Sequence, residues 1–409
     1  MNDFDRICDF IENNKEKAIE LERLLTSIPA LAPESGGEGE LKKCEALEAW
    51  LKQNGISDLE RFDAIDERVE SKIRPNLVAT IKGKDSKKSL WIMSHLDVVP
   101  AGELSLWHSE PFKVTEKDGK LFGRGVEDDQ QGIVCSIMAA LALKNCKITP
   151  EYTVKLLFVA DEEVGSTYGI QHLLKNYSIF GKNDLIIIPD GGDKNGETIE
   201  IPEKNILWLK FKIIGKQAHG STPDNGKNAH LAGCELALKI NELESILSER
   251  DNLFDPPRST LQPTKKESNV PNVNTIPGED IFYMDCRILP CYSLDFVREE
   301  IKKRIATVEK KHGVKIEFTE EQACESPATP QNAEVVKVLS EALKRVLGLN
   351  AKLIGIGGGT VGAYLRKAGF NAVVWSKQDE TMHQPDEYCI IQNLIDEAKV
   401  LASVMVKNK

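Results

Sequence analysis

Residues 153–163 read Thr-Val-Lys-Leu-Leu-Phe-Val-Ala-Asp-Glu-Glu, an apolar run that ends in three consecutive carboxylates. A mostly apolar run of this length is typical of a buried strand. A buried-helix pattern at 132–146 precedes it, and a helix pattern at 167–174 and a strand pattern at 185–188 follow it. This alternation predicts an α/β fold in which helices flank a mostly parallel sheet.

The same pattern extends toward both ends of the chain. Further helices are predicted at 4–25, 38–53, 334–347 and from residue 390, and further strands at 76–81, 90–93, 353–356 and 372–375. Residues 204–322 differ, because their strands and helices form an α+β pattern for which we expect antiparallel pairing. A chain of 409 residues is long enough for two cores. We therefore predict a catalytic domain of residues 1–203 and 323–409, with a second domain, residues 204–322, inserted into it.

The composition excludes several classes of function. A formal net charge of −11 argues against a nucleic-acid-binding surface, which needs a clustered basic face. No apolar run approaches the roughly 20 residues of a membrane span, and the charged residues 1–20 do not resemble a secretory signal. Nine cysteines without a Cys-x-x-Cys pair suit reduced thiols. We therefore expect a cytoplasmic protein without a membrane anchor that acts on small molecules or peptides.

Polar side chains follow the predicted strands at the points where the strands end. In an open α/β sheet, ligands bind at the carboxyl ends of the strands. These positions hold His95 and Asp97 after 90–93, Asp161, Glu162 and Glu163 after 156–160, Asp190 after 185–188, three glycines at 357–359, and Asp379, Glu380 and His383 after 372–375. We therefore expect two imidazoles and several carboxylates to meet at one edge of the sheet.

This combination of side chains is typical of a site for two metal ions. Carboxylates with a few imidazoles suit divalent zinc, manganese or cobalt, and two metals about 3.5–4 Å apart share a ligand. Asp128 is the candidate for the shared carboxylate, because it ends a glycine-rich turn just before the buried helix, and a helix start favours a negative charge.

Each residue also has an ordinary structural explanation. A single histidine such as His95 is more often hydrogen-bonded than metal-bound, residues 161–163 could be a solvated acidic turn, and Asp190 could cap a turn with the two glycines after it. The glycines at 357–359 could simply form a tight turn. Independent accidents would not place all of these groups at one edge, so the joint pattern favours the metal site.

Several short motifs follow one another along nearly the whole chain. They are His95-Leu96-Asp97, Gly123-Arg124-Gly125 leading to Asp128-Asp129, Asp161-Glu162-Glu163-Val164-Gly165-Ser166, Asp190, Gly215-Lys216-Gln217-Ala218-His219, Asn274-Thr275-Ile276-Pro277, Asp285-Cys286-Arg287, the loop from Gly357, and His383. In this order they resemble the co-catalytic zinc peptidase family. That family includes glutamate carboxypeptidase, acetylornithine deacetylase, succinyl-diaminopimelate desuccinylase, aminoacylase and the carnosinase-like dipeptidases.

The resemblance implies a role for each residue of the site. One zinc would bind His95, Asp128 and Asp190, and the other would bind Asp128, Glu163 and His383; cobalt or manganese are alternatives to zinc. Glu162 would be the general base. The carboxylate of Asp97 would accept the second ring N–H of His95 and so fix its tautomer.

The resemblance also implies that the inserted domain is a ferredoxin-like lid and dimerisation domain. His219 would stabilise the tetrahedral oxyanion, often in the other subunit of a homodimer. Asn274, Arg287 and backbone N–H groups near Gly358 would hold the terminal carboxylate of the substrate. Arg287 has an alternative, which is to pair with a carboxylate of its own domain.

The expected activity is hydrolysis of an amide or peptide bond next to a free carboxylate. Asp190 favours a dipeptidase or small-peptide metallopeptidase, because family members that act on N-acyl substrates usually have glutamate there. An N-acyl amino acid deacylase is the alternative. The chain departs from many relatives at Gln130-Gln131-Gly132, where they have a lysine and a glycine, so a role that rests on that lysine does not carry over to this chain. A non-catalytic binding protein is disfavoured because the base, all five ligands and His219 are present, and a structural zinc site would favour cysteine.

Overall fold

A computed structural model describes residues 2–406, which divide into two compact units. Unit 1 comprises the residues up to Ile201, Thr329–Leu353 and the residues from Thr360 onward. Unit 2 comprises Pro202–Ala328 and Ile354–Gly359. The domain bounds expected from the sequence, with an insert at 204–322, stay a prediction.

The helices and strands are numbered in chain order. The helices are α1 (Asp3–Asn13), α2 (Lys15–Thr26), α3 (Leu41–Gln53), α4 (Gln130–Asn145), α5 (Ile170–Asn176), α6 (Ala229–Asn241), α7 (Leu294–His312), α8 (Glu334–Leu347), α9 (Val361–Lys367) and α10 (Ile391–Met405). The first ten strands are β1 (Leu59–Arg61), β2 (Ala64–Ile65), β3 (Ile73–Arg74), β4 (Leu77–Ile81), β5 (Asp85–His95), β6 (Thr115–Lys117), β7 (Lys120–Phe122), β8 (Tyr152–Val159), β9 (Leu185–Asp193) and β10 (Thr198–Glu203). The later strands are β11 (Asn205–Ile214), β12 (Ala218–His219), β13 (Thr260–Lys266), β14 (Thr275–Ile276), β15 (Glu279–Ile288), β16 (Lys315–Cys324), β17 (Lys352–Ile356), β18 (Ala372–Lys377) and β19 (Tyr388–Ile390).

The large sheet has the strand order β1-β4-β8-β5-β9-β18-β10-β17. Its central strands β8, β5, β9 and β18 are parallel, as predicted, whereas β1 pairs with β4, β4 with β8, and β10 with β18 in antiparallel orientation. β4 and β10 run opposite to the central strands because short turns join β4 to β5 and β9 to β10. A short turn reverses the chain, and a parallel neighbour needs a long crossover.

Helix α4 is buried along almost its whole length. Every residue from Gln130 to Leu143 is buried, because α4 lies against β5 and is covered by α1, α2 and α10. A helix that is apolar on all sides is expected in such a position. Among residues 2–406, no helix is both long and apolar enough to span a membrane.

Unit 2 contains a four-stranded antiparallel sheet in the order β13-β15-β11-β16. Along the chain its elements run β11, α6, β13, β15, α7, β16, which is the β-α-β-β-α-β order of a ferredoxin-like fold. Buried residues alternate along β15, as expected for a sheet with one covered face. The core includes Phe211 and Phe282 from the strands and Leu236 and Ile301 from the helices.

Several predicted elements differ from the structure; the strand predicted at 90–93, for example, is the longer β5, which has His95 as its last residue. The helix predicted at 4–25 is two helices, because α1 ends before Asn14, whose ψ of 23° is not helical. The strand predicted at 185–188 extends to Asp193 as β9, so Asp190 lies within a strand instead of after one. Gly192 and Asp193 continue to pair with β18 beyond a register shift, and glycines obscured this part of the strand in the sequence.

Candidate metal centre

The first group of potential metal ligands lies at the carboxyl end of β5. This strand ends at His95, whose buried Nε2 lies 2.8 Å from Oδ1 of Asp128 and 3.8 Å from Oδ1 of Asp190. Asp190 comes from β9, the parallel neighbour of β5. Each of the three residues offers one potential ligand atom, and these three atoms lie within 4.8 Å of one another.

The second group shares Asp128 with the first. Nε2 of His383 lies 3.1 Å from Oδ2 of Asp128 and 3.1 Å from Oε2 of Glu163. His383 follows β18 in a loop, and Glu163 lies in a short 3-10 helix after β8, Glu162–Val164. Asp128 thus directs one carboxylate oxygen toward each group, as a carboxylate that bridges two metals must.

The donors of both groups fit divalent cations. Three carboxylates and two imidazoles suit zinc, cobalt or manganese. Hydrogen bonds to Asp128 and Glu163 raise the pKa of His383 to about 10. Burial disfavours the charged form of His95, but its hydrogen bonds with Asp128 and Asp97 outweigh burial and raise its pKa well above the usual value. The carboxylates therefore attract positive charge strongly enough to hold protons on both imidazoles.

Asp97 contacts the main chain of the glutamates that follow β8. Its buried carboxylate accepts the backbone N–H of Glu162 on one oxygen and that of Glu163 on the other, both at 3.0 Å. Nδ1 of His95 lies 3.0 Å from the backbone carbonyl of Asp97 and 3.5 Å from its carboxylate. The backbone carbonyl of Asp97 is therefore closer to the ring than its carboxylate, and the role expected for that carboxylate stays a prediction.

The backbone before Glu162 has a left-handed conformation. Asp161 has φ +69°, which costs a non-glycine residue about 1–3 kcal/mol. The buried guanidinium of Arg74 donates to Asp161 at 3.0 Å and makes two hydrogen bonds with Glu40, at 2.6 and 2.7 Å. Burial raises the pKa of Glu162 to about 8. Arg74 and Glu40 were missed in the sequence because neither lies at the end of a long apolar run.

Two glycines shape the turn that carries Asp128. Gly125 has φ +88°, a conformation that glycine adopts without strain. A Cβ at Gly132 would lie 2.2 Å from Oδ1 of Asp129 and 2.7 Å from Cγ of Pro189, so only glycine lets α4 begin this close to β9. The peptide bond between Asp128 and Asp129 is cis.

The other predicted site residues lie in unit 2. His219 is exposed in β12, which pairs with β14 directly after Asn274, and the N–H of Gly220 donates to the carbonyl of Asn274 at 2.7 Å. Arg287 makes two hydrogen bonds with Asp285, at 2.7 and 3.2 Å, and donates to the carbonyl of Gly357, beside Gly358, at 2.8 Å. Two pairs of predicted residues are thus neighbours. Arg287 also has the alternative partner considered from the sequence, a carboxylate of its own domain.

Comparison with known proteins identifies relatives of this chain. It is 43% identical over 407 residues to an uncharacterised metallohydrolase of Methanocaldococcus jannaschii, covering 95% of this chain and 99% of the relative. It is 27% identical to a succinyl-diaminopimelate desuccinylase of Rickettsia typhi, covering 90% of this chain and 94% of the relative.

Solved structures show the same fold. The crystal structure of an aminopeptidase from Bacillus cereus superimposes with a TM-score of 0.78 at 19% identity, covering 96% of this chain and 98% of that chain. The sequence model of peptidase family M20/M25/M40 matches residues 91–407, which include both ligand groups. The chain therefore belongs to peptidase family M20/M25/M40 and is a hydrolase of that family.

Proposed function

We propose that the protein is a two-metal hydrolase that cleaves an amide or peptide bond next to a free carboxylate, as a dipeptidase or small-peptide metallopeptidase. The observation that carries the proposal is Asp128, which offers one oxygen to the group of His95 and Asp190 and the other to the group of Glu163 and His383. Two divalent cations held there, which we propose to be zinc with cobalt or manganese as alternatives, would acidify a water molecule and polarise the scissile carbonyl.

Glu162 is the proposed general base. Its backbone is held by Asp97, and it precedes the proposed ligand Glu163. Burial raises the pKa of Glu162 to about 8, so its carboxyl can exchange a proton near neutral pH. In this role Glu162 takes a proton from the attacking water and passes it to the nitrogen of the leaving amine.

His219 is the proposed electrophile for the oxyanion. Its Nδ1 accepts the backbone N–H of Ser221 at 3.1 Å, and the hydroxyl of Ser221 lies 2.8 Å from the same nitrogen. Accepting a main-chain N–H requires an unprotonated Nδ1, so a neutral His219 carries its proton on Nε2. That N–H is the donor an oxyanion needs.

Asn274, Arg287 and Gly358 are proposed to hold the substrate carboxylate. Three of the five N–H groups of a guanidinium are used in the bonds of Arg287 to Asp285 and Gly357. We assign the other two to the substrate. Asp285 then fixes the plane of the guanidinium, which favours recognition of a planar carboxylate.

Asp190 favours peptides as substrates. In the family that the sequence resembles, aspartate at this ligand is typical of members that act on peptides with a free amino group, and glutamate is typical of deacylases. The alternative is an N-acyl amino acid deacylase of the acetylornithine deacetylase or succinyl-diaminopimelate desuccinylase type. The 27% identity to a desuccinylase favours that alternative.

The test is a substrate panel with protein reconstituted with zinc, cobalt or manganese. Dipeptides are compared with the same carboxyl-terminal amino acids bearing N-acetyl or N-succinyl groups, and the carboxyl-terminal amide of each compound is the control. A peptidase should cleave dipeptides and reject both acyl series and the amides. Cleavage of the acyl series alone would select the deacylase. No hydrolysis of either series by protein that holds two metal equivalents would contradict the proposed function.

We also propose a homodimer formed through unit 2. β13 is an edge strand, and the neighbouring helix α6 exposes Leu231 and Leu238, with 56% and 66% of their surface accessible. An unpaired strand edge beside exposed leucines suits a self-complementary two-fold interface. Sedimentation should show a dimer, and the double substitution Leu231→Asp and Leu238→Asp should give a folded monomer. A monomeric wild-type chain would contradict the proposal.

A cytoplasmic location is the last part of the proposal. Eight cysteines, namely Cys8, Cys44, Cys135, Cys146, Cys234, Cys286, Cys291 and Cys389, are free thiols, as is usual in a reducing compartment. Fractionation of the source cells should recover the protein with cytoplasmic markers, and recovery with membranes or the medium would exclude this location.

A further inference from the structure

Two buried glutamates link the loops that carry Asp128 and His383. Glu127 directly precedes Asp128 in the turn after β7, and Glu387 directly precedes β19 at the end of the loop that contains His383. β7 and β19 pair in antiparallel orientation, so both loops leave the same end of one ladder. The carboxylate of each glutamate accepts hydrogen bonds from the main chain of the loop that contains the other glutamate.

Glu387 fixes the turn that carries Asp128. Its Oε1 accepts the backbone N–H groups of Gly125 and Glu127 at 3.0 Å and that of Asp128 at 3.3 Å. Its Oε2 accepts a hydrogen bond from Nη1 of Arg124 at 2.5 Å. The side chain is fully buried, so these four donors replace the water that a carboxylate otherwise binds.

Glu127 fixes the loop that carries His383. Its Oε1 accepts the backbone N–H of Asp379 at 2.8 Å, and its Oε2 accepts both the backbone N–H of Thr381 and, at 2.7 Å, its hydroxyl. This loop needs external support, because non-glycine residues persist in left-handed conformations only when their surroundings hold them. Three residues of the loop have such a conformation: Glu380 (φ +58°), His383 (φ +62°) and Asp386 (φ +56°).

We propose that Glu127 and Glu387 form a reciprocal clasp of positioning residues that sets the distance between Asp128 and His383, and with it the metal affinity of the second ligand group. The inference rests on the proposed two-metal function. Neither glutamate belongs to the ligand groups found among residues 2–406, and both carboxylates are engaged by the opposite loop. The clasp is asymmetric: Glu127 holds only the loop of His383, whereas Glu387 holds the turn of Asp128, which both groups share.

The test compares Glu127→Gln and Glu387→Gln with Asp184→Asn as a matched control. Asp184 also accepts main-chain N–H groups in unit 1, from Ser89 at 2.9 Å and Gly181 at 2.8 Å, but it lies at the amino end of β9, away from the ligands. The two zinc-binding constants are measured by competition with a chromophoric chelator, and the visible spectrum of the cobalt form reports ligand geometry.

Removing a partner that orients a metal ligand typically lowers affinity about 10–100-fold. Glu127→Gln should therefore weaken one metal equivalent by about 10–100-fold and leave the other unchanged. Glu387→Gln should weaken both equivalents, and Asp184→Asn should weaken neither. The cobalt spectrum should change in the two clasp variants only.

The outcomes separate the clasp from the proposed function. If the wild-type protein binds fewer than two equivalents, the two-metal function fails. If it binds two, and both clasp variants bind zinc as tightly as Asp184→Asn, the clasp is wrong. Thr381→Val serves if a glutamine variant does not fold, because it removes one hydroxyl from Glu127, together with the bonds of that hydroxyl to the backbone of Tyr388. It should weaken the same single equivalent by a smaller factor, and unchanged binding would overturn the clasp.

Discussion

One carboxylate oxygen of Asp97 accepts the backbone N–H of Glu162 at 3.0 Å. The other oxygen accepts the next N–H along the chain, that of Glu163, so one buried side chain orients both the proposed base and a proposed ligand. Asp97 follows β5 and the glutamates follow β8, its parallel neighbour in the sheet. These two hydrogen bonds therefore hold the end of β5 in place relative to the end of β8.

Asp97→Asn should lower both turnover and metal affinity. The amide keeps one acceptor, but its NH2 group then faces a backbone N–H, so one of the two bonds is replaced by a contact between two donors. We expect a loss of about 10–100-fold in kcat and a comparable weakening of one zinc equivalent. Steady-state kinetics and chelator competition measure the two effects, with Asp184→Asn as the control. Wild-type values for both would contradict this role.

Glu162→Gln should separate catalysis from metal binding. The substitution removes the proton acceptor and leaves all five proposed ligands, so zinc content should stay near that of wild type. Turnover should fall by at least about 100-fold, which is the lower limit for loss of a general base. Elemental analysis and initial rates on the best substrate of the panel provide the measurement. Substantial residual turnover would rule out Glu162 as the base.

Asp128→Ala, in contrast, should lose bound metal as well as activity. Because one carboxylate serves both groups, its removal should release both zinc equivalents and abolish activity. Asp190→Ala is the comparison, since it removes a ligand from only one group and should leave one equivalent bound. An Asp128→Ala chain that binds two equivalents tightly would show that another residue is the bridge.

The strand ends could be read from the sequence because buried parallel strands are apolar and the first polar residues after them mark the ligand-binding edge. His95, Glu163 and His383 could be predicted in this way, and the structure brings them together at loops and strand ends. The true length of β9 could not be predicted, because glycines interrupt the apolar pattern around Asp190.

The support around these residues could not be predicted in the same way. Glu127 and Glu387 are 260 residues apart, and their contact depends on pairing between β7 and β19, which are only three residues long. Arg74 lies in a strand of two residues. Strands this short leave no periodic pattern, so their partners are determined by tertiary packing alone.

Metal binding should release protons. In the metal-free protein the carboxylates of Asp128 and Glu163 raise the pKa of His383 to about 10, so this ring is charged at pH 8; the pKa of His95 is also raised well above its usual value. A histidine binds metal as the neutral imidazole, so a charged ring must lose its proton. Affinity should therefore rise with pH up to about pH 10, and binding of two equivalents should release at least about one proton, that of His383, at pH 8.

Calorimetry in two buffers with different enthalpies of ionisation measures this release. His383→Ala should release about one proton fewer than wild type. Zinc binding without proton release at pH 8 would show that His383 is neutral before the metal binds.

Arg74→Met should destabilise the protein strongly. The guanidinium is fully buried and contacts three carboxylates, those of Glu40, Asp66 and Asp161. Asp66 keeps a second partner in Arg68, but Glu40 and Asp161 would lose their cation. Removing one partner of a buried ion pair typically costs about 3–5 kcal/mol. Urea unfolding of the metal-free protein should show a loss of this size at pH 8.5.

The loss should depend on pH with a definite sign. Burial already raises the pKa of Glu40 to about 7 although Arg74 is present, so removing the cation raises this pKa further. A carboxyl whose pKa is higher in the folded than in the unfolded state loses stability as pH rises between the two values. Glu40 of the variant therefore continues to lower the stability above pH 7, where Glu40 of the wild-type protein causes no further loss. The difference between them should therefore be smaller at pH 6 than at pH 8.5.

The double variant Arg74→Met and Glu40→Gln tests whether the unpaired charge is the cause. The double variant removes the charge of Glu40, which makes two hydrogen bonds with Arg74, together with the charge of Arg74 itself. Replacing both partners of a buried ion pair often changes the free energy of unfolding little. The double variant should therefore be more stable than Arg74→Met alone at pH 8.5, with a smaller dependence on pH. If it is less stable by the sum of the two single losses, the cost comes from lost packing and not from an unpaired charge.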